Sequence, residues 1–318
     1  MSIFLCGISA MEFWRYVAQS NLAMSRQRVV GIPLGKPARH EVSSLTDRGL
    51  SFLSKPVHLL VKNKASRHRG KAVQCYTMPS GLPFHGIQFD EGLYVAEPAL
   101  CLFSLSSLLP FSKAIAAGFE LCGRYARAVG DFEGLAKRAP LMSIAEFAHD
   151  VRCMQGVRGV AAARRVARFV CDGSRSPMES TITTLLCLPM RLGGYSLPFP
   201  LMNATINVTA RDRPFVKKSW YECDLYWPEA KFALEYDSNL HHTGATRIAE
   251  DASRRADLAY LGIEVATLTW QQTCDVREMD RIALLLAKRL GKRLRRERLD
   301  TLGVQYDLRS QLLNPGQL

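Results

Sequence analysis

Two neighbouring runs, Tyr221-Glu-Cys-Asp-Leu-Tyr-Trp227 and Lys231-Phe-Ala-Leu-Glu-Tyr-Asp237, constrain this chain more than any other feature. Each alternates in the manner of a half-buried strand, and Pro228-Glu-Ala230 lies between them, so an antiparallel hairpin turning between Glu229 and Ala230 is predicted. That register sets Asp224 opposite Glu235 and Glu222 opposite Asp237. Period-two alternation then gathers all four carboxylates on one face and leaves Cys223, Leu225, Phe232, Leu234 and Tyr236 for a core on the other. Directly opposed side chains stand about 4.5–5.5 Å apart at Cβ, where like charges repel. Only Lys231 shares the acidic face, at the hairpin end, so a site that takes up a cation is a better reading than a solvated face. An all-oxygen donor set without cysteine or histidine suits Mg²⁺, with Mn²⁺ able to substitute, better than zinc.

A length of 318 residues exceeds the usual single domain, and 47% hydrophobic with 22% charged residues excludes disordered and fibrous classes. The nine cysteines are scattered, with no pair at zinc-ribbon or redox spacing, as expected of buried thiols in a reducing cytosol. The apolar start at residues 3–11 has no leading positive charge and runs into Glu12 and Arg15, unlike a secretory signal. No stretch reaches the roughly 18 apolar residues of a membrane span. A cytoplasmic protein that does not enter a membrane is the expectation. A net charge of +13 favours a polyanionic partner, DNA first, because cations that neutralise phosphates release condensed counterions.

Ser9-Ala-Met-Glu12 reads as a capping box that opens a short helix, and β-like runs at 56–61, 72–77 and 92–96 make residues 1–110 a small mixed α/β domain. Ala- and Arg-rich sequence predicts a helical connector over 111–172. From 173 to 318, a helix opening at Ser176-Pro-Met-Glu179 precedes a strand at 205–209 and the acidic hairpin. A helix over 246–261, a strand at 264–268 and a basic helix over 278–298 complete an α/β sandwich.

Further candidates lie around the hairpin. Glu179 either adds a carboxylate or serves the capping box with Ser176, where proline takes the first helical position. His241 and His242 follow the second strand, where an imidazole can move a proton near neutral pH. Asp251, Arg254 and Arg255 share a helix face, so one arginine is expected to pair with an acid and the other to meet phosphate. Arg293, Arg295 and Arg296 on the C-terminal helix are expected to add sequence-independent backbone contacts.

With Glu179, Asp224, Glu235, Asp237 and His241 in this order, residues from about 173 onward resemble the PD-(D/E)xK nuclease superfamily. More narrowly, they resemble domains related to the very-short-patch repair endonuclease, with Asp251 and Arg254 matching the Asp-x-x-Arg helix and 261–265 the strand that follows. Ser238 replaces the usual glycine, and Asp237 stands where the superfamily carries a lysine, which leaves His241 or Lys231 as the activating group. The resemblance implies a restriction-endonuclease-like α/β sandwich and a Mg²⁺-dependent DNA endonuclease. In it Asp224 and Glu235 hold the metal, Glu179 and Asp237 assist, His241 transfers a proton, and Arg254 and Arg255 meet DNA. The basic strand-and-loop region, with Leu93-Tyr-Val-Ala-Glu-Pro-Ala-Leu100, is similar to segments that precede such domains and, distantly, to abortive-infection antitoxin regulators. That likeness implies a partner protein in a bacterial defence or toxin-antitoxin operon. Two other readings stand beside the enzyme: a non-catalytic DNA-binding regulator with vestigial carboxylates, and a metal-stabilised structural partner.

Overall fold

The computed structural model describes residues 2–20, 22, 28–29, 34, 37, 39–67, 71–78, 81–238, 245–294 and 301–313. The chain is α/β and divides into two compact units, Met1–Asp172 and Gly173–Leu318. Among the described residues no helix is long and apolar enough to cross a membrane.

The first unit runs β1 (Ile3–Leu5), α1 (Gly7–Gln19), β2 (Arg28–Val29), α2 (Arg39–Ser43), β3 (Val57–Val61), β4 (Val73–Thr77), β5 (Gly86–Asp90), β6 (Leu93–Ala96), α3 (Pro98–Leu108), α4 (Phe111–Cys122), β7 (Tyr125–Arg127), β8 (Leu135–Lys137), α5 (Ile144–Cys153) and α6 (Val160–Ala167). Six strands form a mixed sheet in the order β2-β5-β6-β1-β3-β4. The apolar chain start is its buried central strand, parallel to β6 and antiparallel to β3. Gly7, at φ +52, turns that strand straight into α1; a Cβ there would meet Leu108 Cδ1 at 2.8 Å. The helix therefore starts before the predicted capping box. Ser9 Oγ instead accepts from the His58 amide at 2.9 Å, and Glu12 Oε2 from the Ser54 amide at 3.2 Å.

Residues 111–172, expected to form a connecting layer, pack within this unit. Arg15 of α1 and Glu120 of α4 meet as a buried fork, Nε to Oε1 at 2.9 Å and Nη2 to Oε2 at 2.8 Å. Burial alone would raise the Glu120 carboxyl. The Arg15 charge, its two bonds and the Arg127 amide together hold it below the usual range.

The second unit runs α7 (Pro177–Cys187), β9 (Leu201–Asn207), β10 (Trp220–Trp227), β11 (Phe232–Asp237), α8 (Ala245–Tyr260), β12 (Glu264–Thr269), α9 (Trp270–Cys274), α10 (Val276–Arg289) and α11 (Thr301–Leu313). Its sheet has the order β12-β11-β10-β9, with β12 parallel to β11 and the other pairs antiparallel. Ser176 caps α7 as predicted, its Oγ accepting from the Glu179 amide at 3.1 Å. The basic helix is shorter than expected. It stops at Arg289 because Leu290 caps it and Gly291 turns left-handed at φ +63. Arg293 follows the helix end, and Arg295 and Arg296 lie outside the described residues.

The buried fork gives a direct test of the first unit. Glu120→Ala leaves the Arg15 charge buried without its partner and is expected to destabilise that unit by about 3–5 kcal/mol, whereas Arg15→Met combined with Glu120→Leu should recover most of the loss. Urea unfolding read by circular dichroism checks both; a single-variant loss under about 1 kcal/mol would show that the pair does not tie α1 to α4.

Candidate functional site: an acidic hairpin between two arginine clamps

The hairpin has the predicted register, Leu225 opposite Leu234, Tyr226 opposite Ala233 and Trp227 opposite Phe232. The turn is a short 3-10 segment, Pro228–Ala230, closed by Lys231 at φ +44. The ladder ends at Leu225 and Leu234, one step before Asp224 and Glu235, and the alternation does not continue past it. Asp224 Oδ2 accepts from the Tyr236 amide at 3.0 Å, so this side chain fills a ladder position between the strands. On the other side Asn203, at φ +49, interrupts β9: Cys223 pairs with Ala204 and Leu225 with Met202, with no pair between. Beyond Asp224, Tyr221 and Cys223 pack with Leu258 of α8 in one cluster that also holds Ala233 and Tyr226. Cys223 and Tyr226 are an odd number of residues apart, so β10 reverses its faces once between them.

This reversal corrects the expectation of a single acidic face. Glu222 turns to Arg175, whose Nη1 and Nη2 meet its carboxylate at 2.6 and 2.5 Å. Glu235 turns to Arg254, which grips Oε2 through Nη1 at 2.8 Å and Oε1 through Nη2. Arg254 Nη2 also donates to the Glu222 carbonyl at 2.6 Å. Of the two helix arginines, Arg254 is thus the paired one, and Arg255 reaches only Thr267 Oγ1 at 3.5 Å.

Glu179 takes the capping role and more. Its Oε1 accepts from Ser176 Oγ at 2.9 Å, and its Oε2 from the Arg175 amide at 2.9 Å and from Asn203 Nδ2 at 2.6 Å. Its buried carboxylate thereby positions both the Arg175 clamp and the β9 irregularity. Arg175 and Asn203 escaped the sequence reading. Arg175 stands one residue before the α7 cap, whereas nothing in the sequence marks Asn203, because its role depends on a backbone turned left-handed inside a strand.

Asp224 is left with the Tyr236 amide as its one hydrogen-bond donor among the described residues. Burial, then the nearby Glu179 and Glu235 charges, push its carboxyl up to about 6. The Cys223 thiol beside it is pushed up to about 12 by burial and by Glu235, and stays protonated. Asp237 ends β11 opposite Thr269 of β12, half-buried. Lys231 sits at the hairpin tip, four residues before Glu235, or about 13 Å along an extended strand, too far to act at the acids. His241 and His242 lie outside the described residues.

Among the described residues no three acidic, histidine or cysteine groups form a metal cage. Mg²⁺, however, commonly binds through one or two carboxylates and completes its shell with water and substrate phosphate. Asp224 and Glu235 fit that demand: the first is near two other carboxylates and makes no ion pair among the described residues, and the second is a charged neighbour that Arg254 holds.

A cavity of about 490 Å³ opens at the start of β10, lined by Arg213, Lys217, Lys218 and Trp220 together with Glu222 and Arg254; Asp224 and Glu235 are not in its lining. The stretch Arg211-Asp-Arg-Pro-Phe-Val-Lys-Lys-Ser-Trp220 supplies its basic and aromatic rim. Its composition was visible in the sequence, but nothing there showed that it lies against the acidic strand.

No family model and no solved structure matches the chain. It is similar to an uncharacterized protein of Mycobacterium tuberculosis, found in two strains, with 27% identity over 158 residues, which covers 49% of this chain and 52% of the relative. The chain thus spans about half the length of the curated relatives it matches.

The Asp224 environment predicts a pH signature. An ordinary aspartate loses its proton near 3.8 and the folded Asp224 near 6, so between these values the folded state binds more protons and its stability falls as pH rises. Asp224→Asn keeps an acceptor for the Tyr236 amide and removes this dependence. In EDTA the variant should match the wild type near pH 4 and exceed it by about 1–2 kcal/mol above pH 7. Thermal melts across this range check it, and parallel curves would mean that Asp224 titrates normally.

Proposed function

We propose that the second unit is a Mg²⁺-dependent DNA endonuclease of restriction-endonuclease-like type, with Asp224 and Glu235 as the metal ligands and Mn²⁺ able to replace Mg²⁺. The observation that carries this reading is Asp224, a half-buried strand carboxylate with no ion pair among the described residues, whose carboxyl is pushed up by burial and then by the nearby Glu179 and Glu235 charges, two residues from Glu222 in the lining of a cation-rich cavity. A bound divalent ion would supply a water of lowered pKa and offset charge on the phosphate oxygens.

The chain's own groups have separate parts in this reading. The Tyr236 amide orients Asp224, and Glu179 positions Asn203 and Arg175 around it. Arg254 holds Glu235 while no polyanion is present. A phosphate entering the cavity competes for the same guanidinium, since Arg binds phosphate as readily as carboxylate, and so frees Glu235 for the ion. Asp237 assists at the end of β11, and His241 is assigned proton transfer. Arg255 and Arg293 are exposed and suit contacts with the DNA backbone, a role extended to Arg295 and Arg296. The cytoplasm and a bacterial defence or toxin-antitoxin operon with a partner protein are the proposed setting.

A second reading has an observation of its own. Arg254 and Arg175 already neutralise Glu235 and Glu222, as in a DNA-binding regulator that keeps the fold and no longer cuts. Plasmid nicking separates the two. Wild-type protein should cut in Mg²⁺ and in Mn²⁺ but not in EDTA. Asp224→Ala and Glu235→Ala should each lower the rate by at least about 100-fold, because both act on the charged transition state; in EDTA, Asp224→Ala should leave DNA affinity nearly unchanged and Glu235→Ala, which frees Arg254, should not lower it. Binding without cutting in either metal would assign the regulator.

A further inference from the structure

The loop that joins β9 to β10 is built to hold a surface rather than merely to connect strands. Val208 donates its amide to the Ser219 carbonyl at 2.9 Å and closes the loop at its base. Within it, the Asp212 amide reaches the Thr209 carbonyl at 3.1 Å, Arg213 Nη1 reaches the Val216 carbonyl at 3.0 Å, and Val216 is buried in the core. Asp257 of α8 accepts from the Tyr221 hydroxyl at 2.7 Å, and that hydroxyl accepts from the Lys218 amide at 3.1 Å. The groups that this ordered loop turns outward are costly to expose. Trp220 is 53% and Phe215 64% accessible, and Phe215 stacks on the half-exposed Tyr260 of α8 with centroids 5.3 Å apart. Arg213, Lys217 and Lys218 are exposed among these rings, and none makes an ion pair among the described residues.

Cations alone would suit any polyanion. Cations interleaved with bare aromatic faces suit one whose bases are unstacked, because a duplex hides its base faces and offers such a surface little beyond phosphate. The cavity lining joins these cationic side chains to Glu222 and to Arg254, whose guanidinium grips Glu235. A strand lying in it therefore comes within one side chain, Arg254, of Glu235.

We propose that this cleft binds an unpaired stretch of DNA, with a base stacked on Trp220 and its phosphates on Arg213, Lys217 and Lys218, and presents it to Asp224 and Glu235. The cleavage of the bound strand rests on the endonuclease reading, while the binding itself needs neither metal nor cleavage.

The test is fluorescence anisotropy with the full chain in EDTA, using a labelled single strand of about 16 nucleotides and the same sequence as a blunt duplex. The single strand should bind more tightly. Trp220→Ala should weaken it about tenfold and the duplex less than about twofold, and Trp220→Phe should restore most of the loss, as stacking requires and a purely structural role does not. Replacing Arg213, Lys217 and Lys218 with Ala should weaken both ligands and reduce the salt slope by roughly two to three. Tighter duplex binding, equal loss of both ligands in Trp220→Ala, or competition by polyglutamate as strong as by unlabelled oligonucleotide would overturn the proposal, the last by making an acidic protein surface the occupant. Failure of either reading is distinguishable from failure of the other. Nicking by a Trp220→Ala variant whose strand binding is unaltered overturns the cleft alone, whereas stacking-dependent binding by a wild type that cuts in neither metal overturns the nuclease alone.

Discussion

Carboxylates on neighbouring strands repel, and at an effective dielectric near 20 two unit charges 4 Å apart cost about 4 kcal/mol, a sizeable part of a domain's net stability. The second unit distributes this cost instead of avoiding it. Arg175 neutralises Glu222, Arg254 neutralises Glu235, and Glu179 is satisfied by the cap of α7 and by Asn203. Asp224 has no such arginine fork among the described residues, and its raised affinity for a proton comes first from burial and then from the Glu179 and Glu235 charges. The charge part of that imbalance also favours a divalent cation, which links the pH response to the proposed chemistry.

Where signals are local, the sequence was a sufficient guide. The hairpin register follows from the alternation on either side of a short proline turn, and the start of α7 from serine, proline and glutamate at fixed offsets. The helix and strand after the hairpin obey the same rule: the periodic stretch predicted over 246–261 and the strand predicted over 264–268 are present as α8 and β12. The face reversal at Asp224 was not legible, because it needs three partners from different elements: the Tyr236 amide, the left-handed Asn203 and the Leu258 packing surface. Period-two reasoning assumes an unbroken ladder, and a side chain that enters the ladder defeats it.

Two other departures have plainer causes. Ser9 and Glu12 have the spacing of a helix cap, yet the helix begins earlier because Gly7 lets a buried strand turn at once into α1, and the two side chains accept from the His58 amide of β3 and the Ser54 loop amide instead. The basic C-terminal helix ends earlier than its run of lysines and arginines suggests, because Leu290-Gly291 is a stop signal within that run. Of the expected backbone contacts on it, Arg293 lies beyond the helix end, whereas the cations of the β9–β10 loop share a cavity with Glu222 and Arg254.

The anchoring of that loop has an evolutionary corollary. Its path is determined by contacts at Val208, Asp212, Val216 and Asp257 and by the Arg213 guanidinium on the Val216 carbonyl, while Lys217 and Lys218 are exposed and make no side-chain ion pair among the described residues. Exchanges at such exposed positions typically change stability by no more than about 0.5 kcal/mol. Exchanges there, trading one polar group for another or reversing a charge, would therefore alter the surface chemistry of the rim without disturbing Asp224 and its neighbours. On the proposed reading, the part of the unit most open to change is the part that would meet a target, and the part least open to it is the acid cluster.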